Sequence, residues 1–419
     1  MLVVGGGLAG LVAAATAAEC GATVTLLEGH GLGGRARSEP RRGFTFNRGA
    51  HALYPGGPAS RVLEALGAPT RSGGIAPLKG TYVLRGGRLH LLPRGATTMA
   101  RTSLLRLAEK PRFARAFLRL TATSPEQYIG RSVTDVVTGL GLTGAAADMA
   151  LATVRVSTYA NAPDQMDAGA AIANVQAGLK GVRYLDGGWQ TLVDAVAATA
   201  TARGVRIVAD GAVQSVTATP GGVLVTTTGG THEAGSVILA AGPPDSAAAC
   251  LGDRPASWDR LGPPVTAACL DLGVRRMPDP RFVLGLDEPL YLSTHCPPAG
   301  LAPPGQFVVS LLRYQPVDDD MPALDQRARL RALAAQAGIT DDDIVEDRFL
   351  ARITVAGGFP TAAAGGLAGR PPVEVEGQAG IFVAGDWVGP EGLLADAAVA
   401  SGAEAGRLAA ARTATIGVG

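Results

Sequence analysis

The sequence predicts an α/β protein in which a domain built on a parallel sheet carries an inserted second domain. Three observations predict this fold. A strand, a glycine turn and a helix open the chain, a strand and a small-residue helix close it, and a long stretch with mostly helical patterns separates them. The chain has 419 residues, of which 47% are hydrophobic and 17% charged, so it is long enough for two or three globular domains.

The opening unit ends at Glu28, 18 residues after the last glycine of a G-x-G-x-x-G pattern. The glycines allow a tight turn, a close approach of the backbone to a pyrophosphate, and packing of the helix on the strand. Glu28 follows a second apolar run, where its carboxylate can accept hydrogen bonds from ribose hydroxyls. The predicted cofactor-binding residues of the turn are Gly5, Gly7, Leu8, Ala9 and Gly10.

The uncharged stretch 1–18 has a second interpretation, as a signal peptide or a membrane helix. The stretch has no basic region at its start, and the acidic residues Glu19 and Glu28 come soon after it. These features fit neither a signal peptide nor a membrane helix. We therefore expect a cytoplasmic protein whose four cysteines are buried thiols, and no metal site, because histidines and cysteines lack ligand spacing. The net charge of +1 gives no reason to expect a nucleic-acid partner.

Further elements are predicted along the chain from hydrophobic periodicity and turn residues. They are a helix near 59–66, a hairpin around Gly86 and Gly87, helices over 97–179, a helix and three short strands after Gly187, strands over 265–313, a helix at 323–337, and strands at 344–355 and 381–384. We predict that residues 1–80, 185–255 and 345–419 form the nucleotide-binding domain, and that residues 81–184 and 256–344 form the second domain, with a ligand cleft between them.

Three separated motifs carry a resemblance to a known family over nearly the whole chain. They are the unit from Gly5 to Glu28, the run Gly33-Gly34-Arg35-Ala36-Arg37-Ser38, and the terminal Gly385-Asp386 with its helix. Together they resemble the FAD-dependent family that contains amine oxidases, phytoene-type desaturases and protoporphyrinogen oxidases. A nicotinamide enzyme would share only the first motif. The resemblance implies a Rossmann-type FAD-binding domain with an inserted α+β substrate domain.

The resemblance also implies which residues hold the diphosphate and ribityl parts of FAD. Gly34 and Arg35 would lie at the diphosphate, although Arg35 could instead be a solvated loop residue. With Gly385, Asp386 would contact a ribityl hydroxyl or the phosphates, or it could simply cap a turn.

Other predicted contacts with FAD are made by the backbone. The amides of Leu393 and Leu394, at the start of the last helix, would favour the reduced flavin. Val213 resembles the residue whose backbone reads the adenine, although it could equally be an ordinary strand valine.

The loop FNRGAH corresponds to the one that runs beside the isoalloxazine in the family, which makes Gly49, Ala50 and His51 neighbours of the flavin. Asn47 stands where the family usually has an acid. His51 could relay a proton, or it could be a histidine satisfied by backbone carbonyls. The candidate catalytic residues are His51 and Trp387. Trp387 and Tyr54 could form a wall of the substrate pocket or could belong to the core.

The function that we predict is the FAD-dependent oxidation or dehydrogenation of an apolar or biosynthetic small molecule, similar to a phytoene desaturase. Hydride would pass to flavin N5, and oxygen or another acceptor would reoxidise the flavin. No lysine follows Lys180, and Leu393 stands where amine oxidases have a tyrosine, which disfavours an amine oxidase. Two further functions stay open, namely a redox-neutral isomerase or cyclase and a non-catalytic flavoprotein.

The basic stretch 99–120 has two interpretations. It could contact a membrane surface peripherally and collect an apolar substrate, or it could be a solvated face of the second domain.

We predict that FAD is bound noncovalently. No cysteine follows Cys296, so no thiol is available near the terminal motif for a thioether to the flavin. Acid precipitation of the purified protein should release the yellow chromophore into the supernatant. A pellet that keeps its colour after washing would contradict this prediction.

Overall fold

The computed structural model describes residues 1–209, 212–279 and 281–416, and side chains as far as residue 413. Its strands and helices are numbered in chain order. The strands are β1 (Leu2–Val4), β2 (Thr25–Leu27), β3 (Ser38–Arg41), β4 (Phe44–Asn47), β5 (Gly74–Ile75), β6 (Thr81–Arg85), β7 (Arg88–Leu91), β8 (Arg183–Tyr184), β9 (Arg206–Val208), β10 (Val213–Thr219), β11 (Gly222–Thr227), β12 (Gly230–Ala234), β13 (Val237–Leu239), β14 (Val265–Val274), β15 (Phe282–Gly285), β16 (Leu290–Cys296), β17 (Phe307–Tyr314), β18 (Ile344–Ala356) and β19 (Ile381–Val383). The helices are α1 (Leu8–Glu19), α2 (Pro58–Ala65), α3 (Ala96–Arg101), α4 (Lys110–Ala122), α5 (Val133–Gly139), α6 (Gly144–Thr158), α7 (Ala168–Leu179), α8 (Gln190–Ala202), α9 (Pro244–Leu251), α10 (Ala323–Gln336) and α11 (Leu394–Ile416).

A five-stranded parallel sheet contains the first and the last strand of the chain. Its order is β19-β13-β1-β2-β9, so β1 lies at the centre, paired with β13 on one side and β2 on the other. All three residues of β1 are buried, as expected for a strand of a parallel sheet that is covered on both faces. The predicted α/β class with a Rossmann-type sheet is therefore confirmed.

Helices α1 and α11 pack against each other at backbone distance. A Cβ atom on Gly402 would overlap the carbonyl oxygen of Ala9, and one on Gly406 would overlap that of Ala13. Alanines fill half of the buried positions of α1. The small residues therefore let the two helices approach closely, and this contact joins the beginning of the chain to its end.

A second, seven-stranded sheet has the order β18-β14-β17-β16-β15-β6-β7. Its pairs are antiparallel except for β15 with β6. Side chains of β14 alternate between two cores. Ala267 and Cys269 pack in a cluster with helices α4 to α7, and Leu270 and Leu272 pack in a cluster with α10. The predicted hairpin at Gly86 and Gly87 is confirmed as β6 and β7.

Two details differ from the sequence-based expectations. Strand β18 pairs with β14 in the second sheet, so the chain returns to the parallel sheet only after Ala356, whereas we placed this return at residue 345. Cys20 is exposed rather than buried, because it caps the end of α1 at the surface. The division of the chain into two domains remains a prediction. Within the described residues, no helix is both long and apolar enough to cross a membrane.

We predict that Gly402→Ala destabilises the protein. Alanine favours a helix over glycine by about 1 kcal/mol, but its methyl group would meet the Ala9 backbone, and such overpacking costs roughly 1–3 kcal/mol. The midpoint of thermal unfolding should therefore fall. Arg407→Ala, at an exposed position of the same helix, serves as the control and should leave the midpoint nearly unchanged. An equal or higher midpoint for Gly402→Ala would contradict the packing described here.

Candidate active site

A cavity of about 1150 Å3 runs along the carboxyl ends of β1, β2 and β13 and continues towards the second sheet. Val4, Leu27 and Ala240, at or next to the ends of these strands, line it. Ligands of open α/β sheets bind at this edge. Ligand pockets commonly measure 300–1,000 Å3, so the volume is sufficient for a large cofactor together with a small molecule.

The glycine turn after β1 leaves room for a phosphate group. A Cβ atom on Gly5 (φ 100°) would overlap the Ala240 carbonyl, and one on Gly10 would overlap the Gly5 carbonyl, so both must be glycine. Beside Gly7, in contrast, there is no atom within 4 Å of a Cβ position, and that space belongs to the cavity. Leu8 and Ala9, in the first turn of α1, also line it. Because the first amides of a helix have no intrahelical acceptors, this cradle fits a pyrophosphate.

The Gly33-Gly34-Arg35 segment lies directly against this turn. The Gly33 amide donates to the Gly6 carbonyl over 2.8 Å, and a Cβ atom on Gly34 would lie 3.6 Å from Gly7 Cα. Gly34 has a φ of 52°. The Gly33-Gly34-Arg35 segment thus forms one wall of the phosphate cradle, and the glycine turn after β1 forms the other part.

Glu28 lines the cavity and joins two loops. Its Oε2 accepts a hydrogen bond from the Gly6 amide and its Oε1 one from the His30 amide, each over 2.6 Å. Val213 also lines the cavity, and the Cys250 thiol lies 3.9 Å from its carbonyl oxygen. Both positions suit the predicted contacts with the adenosine half of FAD, which remain predictions.

Arg35 and Asp386 form a bidentate ion pair inside the cavity, with both N–O distances at 2.8 Å. Arg35 also donates to the Val355 carbonyl over 3.1 Å, and Asp386 accepts from the Gly357 amide over 3.0 Å. These bonds fix the Arg35 side chain, although it stays 38% exposed, and its contact with the diphosphate remains a prediction. Gly385, which lines the cavity as well, bonds through its amide to the Ser401 hydroxyl of α11.

The loop from Asn47 to His51 is fixed by its side chains and by its backbone. The Asn47 Oδ1 accepts from the Trp189 amide over 2.9 Å and from the Ser38 hydroxyl over 2.7 Å, so an amide acceptor at the entry of α8 replaces the usual acid. Gly49 has a φ of 107°, and a Cβ atom there would approach Ile353 Cδ1 to 2.9 Å. Gly49, Ala50 and His51 all line the cavity.

A buried ion pair of the second sheet contacts the loop from Asn47 to His51 on the side of that sheet. Arg348 donates to the Asn47 carbonyl and, over 2.6 Å, to Asp271 Oδ2. The Ser310 hydroxyl satisfies Asp271 Oδ1 over 2.7 Å. We did not predict either charged residue. The signal was available, since Asp271 is the single acid in the apolar run AACLDLGV.

His51 lies at the cavity, half-buried, with its ring centroid 4.8 Å from that of Trp189. Its Nδ1 is 3.0 Å from the Gly49 carbonyl oxygen, as expected for a histidine satisfied by its own backbone. Burial lowers the pKa of His51, in spite of this hydrogen bond. The imidazole is therefore neutral near pH 7 and can accept a proton.

The prediction that Trp387 lies in the wall of the substrate pocket is wrong. Trp387 is fully buried, its Nε1 donates to the Gly242 carbonyl over 2.8 Å, and its ring packs on Trp258 with centroids 4.7 Å apart. The side chain after Asp386 thus points into the core. Neither Trp387 nor Leu393 is among the described residues that line the cavity, and the Leu393 side chain is buried in the core of the second sheet and its helices. The predicted contact of the Leu393 amide with the flavin is a backbone contact and remains a prediction. Leu394 does line the cavity, in a left-handed conformation with φ 54°.

An apolar arm of the cavity extends between the second sheet and helices α4, α6 and α7. Tyr54 belongs to its wall, as predicted, and accepts a hydrogen bond from Asn174 over 3.3 Å. Tyr159, at the end of α6, donates to the Ala50 carbonyl over 2.6 Å and so ties the arm to the loop. We call this region the substrate arm. Its lining residues are Tyr54, Phe113, Phe117, Met149, Thr153, Val156, Ser157, Tyr159, Val175, Tyr184, Phe282, Leu284, Tyr291, Leu312 and Ile353.

Asp396, in the first turn of α11, is a further lining residue that we did not predict. Its Oδ1 accepts a hydrogen bond from the Ala59 amide at the start of α2 over 2.8 Å. Burial raises the pKa of this carboxyl group to about 6.

These features define an FAD-dependent oxidoreductase: a dinucleotide cradle, a cavity that continues past it into an apolar arm, and a loop with a neutral histidine between them. Residues 8–270 match the model of the flavin-containing amine oxidoreductase family. Because this match covers more than half of the sequence, the chain belongs to that family. No curated protein sequence is significantly similar to the chain.

Solved structures with the same fold cover both chains almost completely. A putative protoporphyrinogen oxidase from Exiguobacterium sp. 255-15 superimposes with a TM-score of 0.76 at 20% identity, covering 98% of each chain. Cyclohexylamine oxidase from Brevibacterium oxydans has a TM-score of 0.70 at 16% identity and covers 99% of this chain and 98% of its own. A CLA-producing fatty acid isomerase from P. acnes has a TM-score of 0.70 at 15% identity and covers 96% of each. At these identities the likeness shows the fold alone.

We predict that Asp396 makes stability depend on pH. The pKa of the carboxyl group rises from 3.8, its ordinary value, to about 6 on folding. Between these values the folded protein keeps a proton that the unfolded chain releases. The free energy of unfolding should therefore fall as pH rises from about 4 to about 6, by at most about 1.4 kcal/mol per pH unit.

Asp396→Asn keeps the acceptor for the Ala59 amide and removes the titration. The unfolding free energy of the native protein should therefore fall relative to that of this variant as pH rises across that range in denaturant titrations. Asp325→Asn, at the same turn of α10 but exposed, is the matched control. A difference that stays constant with pH would show that Asp396 does not titrate there.

Proposed function

We propose that the protein oxidises an apolar small molecule, by dehydrogenation, in the substrate arm. The observation that carries the proposal is the lining of this arm, which consists of aliphatic and aromatic side chains with a few hydroxyl groups. Apolar binding sites of this kind fix orientation with a small number of polar groups.

The carboxylates of the cavity support an apolar substrate rather than an ammonium group. Among the described lining residues they are Glu28, Asp386 and Asp396. None of these three belongs to the substrate arm, and each is engaged: Glu28 by backbone amides, Asp386 by Arg35, and Asp396 by the Ala59 amide. The tyrosines of the arm could still attract a cation through their rings, which keeps the amine oxidase alternative open.

FAD, when bound, supplies the acceptor for the hydride that leaves the substrate carbon. The residues of the chain orient the substrate and exclude water, which the apolar arm achieves by its composition. Tyr159 and Arg348 hold the loop from Asn47 to His51 through the Ala50 and Asn47 carbonyls. His51, neutral and at the cavity, can take up the proton released from a substrate hydroxyl or carbon acid.

A redox-neutral isomerase is the second candidate. The same apolar arm would bind an unsaturated chain, and the structural similarity to a protein described as a fatty acid isomerase makes this chemistry worth testing. Turnover in the absence of any electron acceptor would distinguish it from net oxidation.

We predict that apolar substrates, and not small diamines, bleach the flavin absorbance under anaerobic mixing. Met149→Gln should weaken this reaction by about fivefold or more, because a buried amide without a partner costs about 1–3 kcal/mol. Met149 is buried and lines the arm. Met277→Gln, buried in the other core of the second sheet, is the matched control and should react like the native protein. Bleaching by diamines alone would favour the amine oxidase alternative.

A further inference from the structure

The cavity opens at the surface between exposed apolar side chains. Leu78 and Leu179 line the cavity and are nevertheless 67% and 52% exposed. Ile75 is 42% exposed and adjoins Gly181, another lining residue, whose Cβ position lies 3.2 Å from Ile75 Cγ2. Large apolar residues clustered around an opening are unusual on a soluble surface and indicate an interaction site.

Helix α4, which lines the cavity, carries a further exposed apolar residue. Phe113 and Phe117 turn inward and line the cavity, whereas Leu118 is 65% exposed. The end of α4 adjoins α7, because the Gln176 side chain donates to the Leu120 and Thr123 carbonyls, each over 2.9 Å.

Exposed basic residues lie next to these apolar residues in the sequence. Lys79 follows Leu78, Lys180 follows Leu179, and Arg115 and Arg119 flank Leu118, all of them exposed. Arg94 lines the cavity and donates to the Leu78 carbonyl over 3.4 Å. Within the part of the chain that the structure describes, none of the five forms an ion pair with an acid. The acid nearest in sequence to α4, Glu109, bonds to the Arg106 amide, and Asp279, near Lys79, accepts from Tyr82.

We define the mouth surface as the apolar residues Ile75, Leu78, Leu118 and Leu179 together with the basic residues Lys79, Arg94, Arg115, Arg119 and Lys180. We propose that the mouth surface docks on an anionic phospholipid bilayer, so that the substrate arm opens against lipid. Basic charge and apolar burial each give only marginal membrane binding, and the combination gives stable attachment. This inference rests on the proposed function for its purpose, since an apolar substrate dissolves in a bilayer, but the docking itself is independent of catalysis.

The charge of the mouth surface argues against a second copy of the chain as its occupant. In a symmetric dimer the same patch faces itself, so the five cations would be brought together without acids between them. In an anionic bilayer, in contrast, the lipid headgroups complement the basic residues, and the hydrocarbon chains can accommodate the leucines.

The test is flotation of the FAD-loaded full chain with vesicles of phosphatidylcholine, with and without phosphatidylglycerol. We expect binding to the phosphatidylglycerol vesicles that weakens as salt is added, and little binding to phosphatidylcholine alone. Replacing three cations, in Lys79→Gln/Arg115→Gln/Lys180→Gln, should lower the partition coefficient by roughly 100-fold, because each charge contributes about fivefold. Leu78→Ser/Leu179→Ser should lower it by at least about tenfold.

The control variant is Leu324→Ser/Arg407→Gln, which removes one exposed leucine and one exposed arginine far from the mouth surface. It should float like the native protein. Retained FAD absorbance in every variant shows that the fold is intact. Absence of binding to phosphatidylglycerol vesicles, or equal losses in the control, would overturn the proposal.

A dimer that dissociates on mutation of the mouth surface would also overturn it, in favour of a second copy of the chain. Because flotation needs no turnover, a failure here is distinct from a failure of the proposed oxidation, which anaerobic mixing measures in the absence of lipid.

Discussion

The parallel pairing of β1 with both β2 and β13 is the constraint on which the active site depends. Because these strands and β19 run in one direction, their carboxyl ends meet at one edge of the sheet. The glycine turn, Glu28 and the Gly385-Asp386 turn are thereby brought to one cavity from distant parts of the sequence. The ion pair between Arg35 and Asp386, which are 351 residues apart, is a direct product of this arrangement.

The second sheet contributes to the site through its buried polar groups as well as its apolar arm. Breaking a buried ion pair such as Arg348 with Asp271 leaves an uncompensated charge and is strongly destabilising, although a pair of this kind adds little net stability. The role of the Arg348–Asp271 pair is to position the loop that contains His51. Arg348 reaches the Asn47 carbonyl, Tyr159 reaches the Ala50 carbonyl, and the loop with His51 is thus held from two sides.

The glycine motifs could be predicted from the sequence because they obey local rules. A turn with a φ of 100° at Gly5 and a carbonyl within overlap distance of Gly10 leaves few alternatives to glycine. Trp387 could not be placed in the same way, since the direction of a side chain next to a motif depends on packing with residues such as Trp258. Apart from Tyr54, the substrate arm was also beyond sequence reasoning, because its aromatic residues come from elements that only the tertiary fold brings together.

The discontinuous order of the sheets has a consequence for biosynthesis. During translation, β1 leaves the ribosome long before its partner β13 at Val237–Leu239, and the edge strand β19 follows only at Ile381–Val383. Strand β6 is likewise synthesised long before β15, with which it pairs. Neither sheet can close until most of the polypeptide has been made, so the nascent chain carries unpaired apolar strands for much of its synthesis. Such long-range pairing is slow, and the folding intermediates that precede it expose apolar strands and are prone to aggregation.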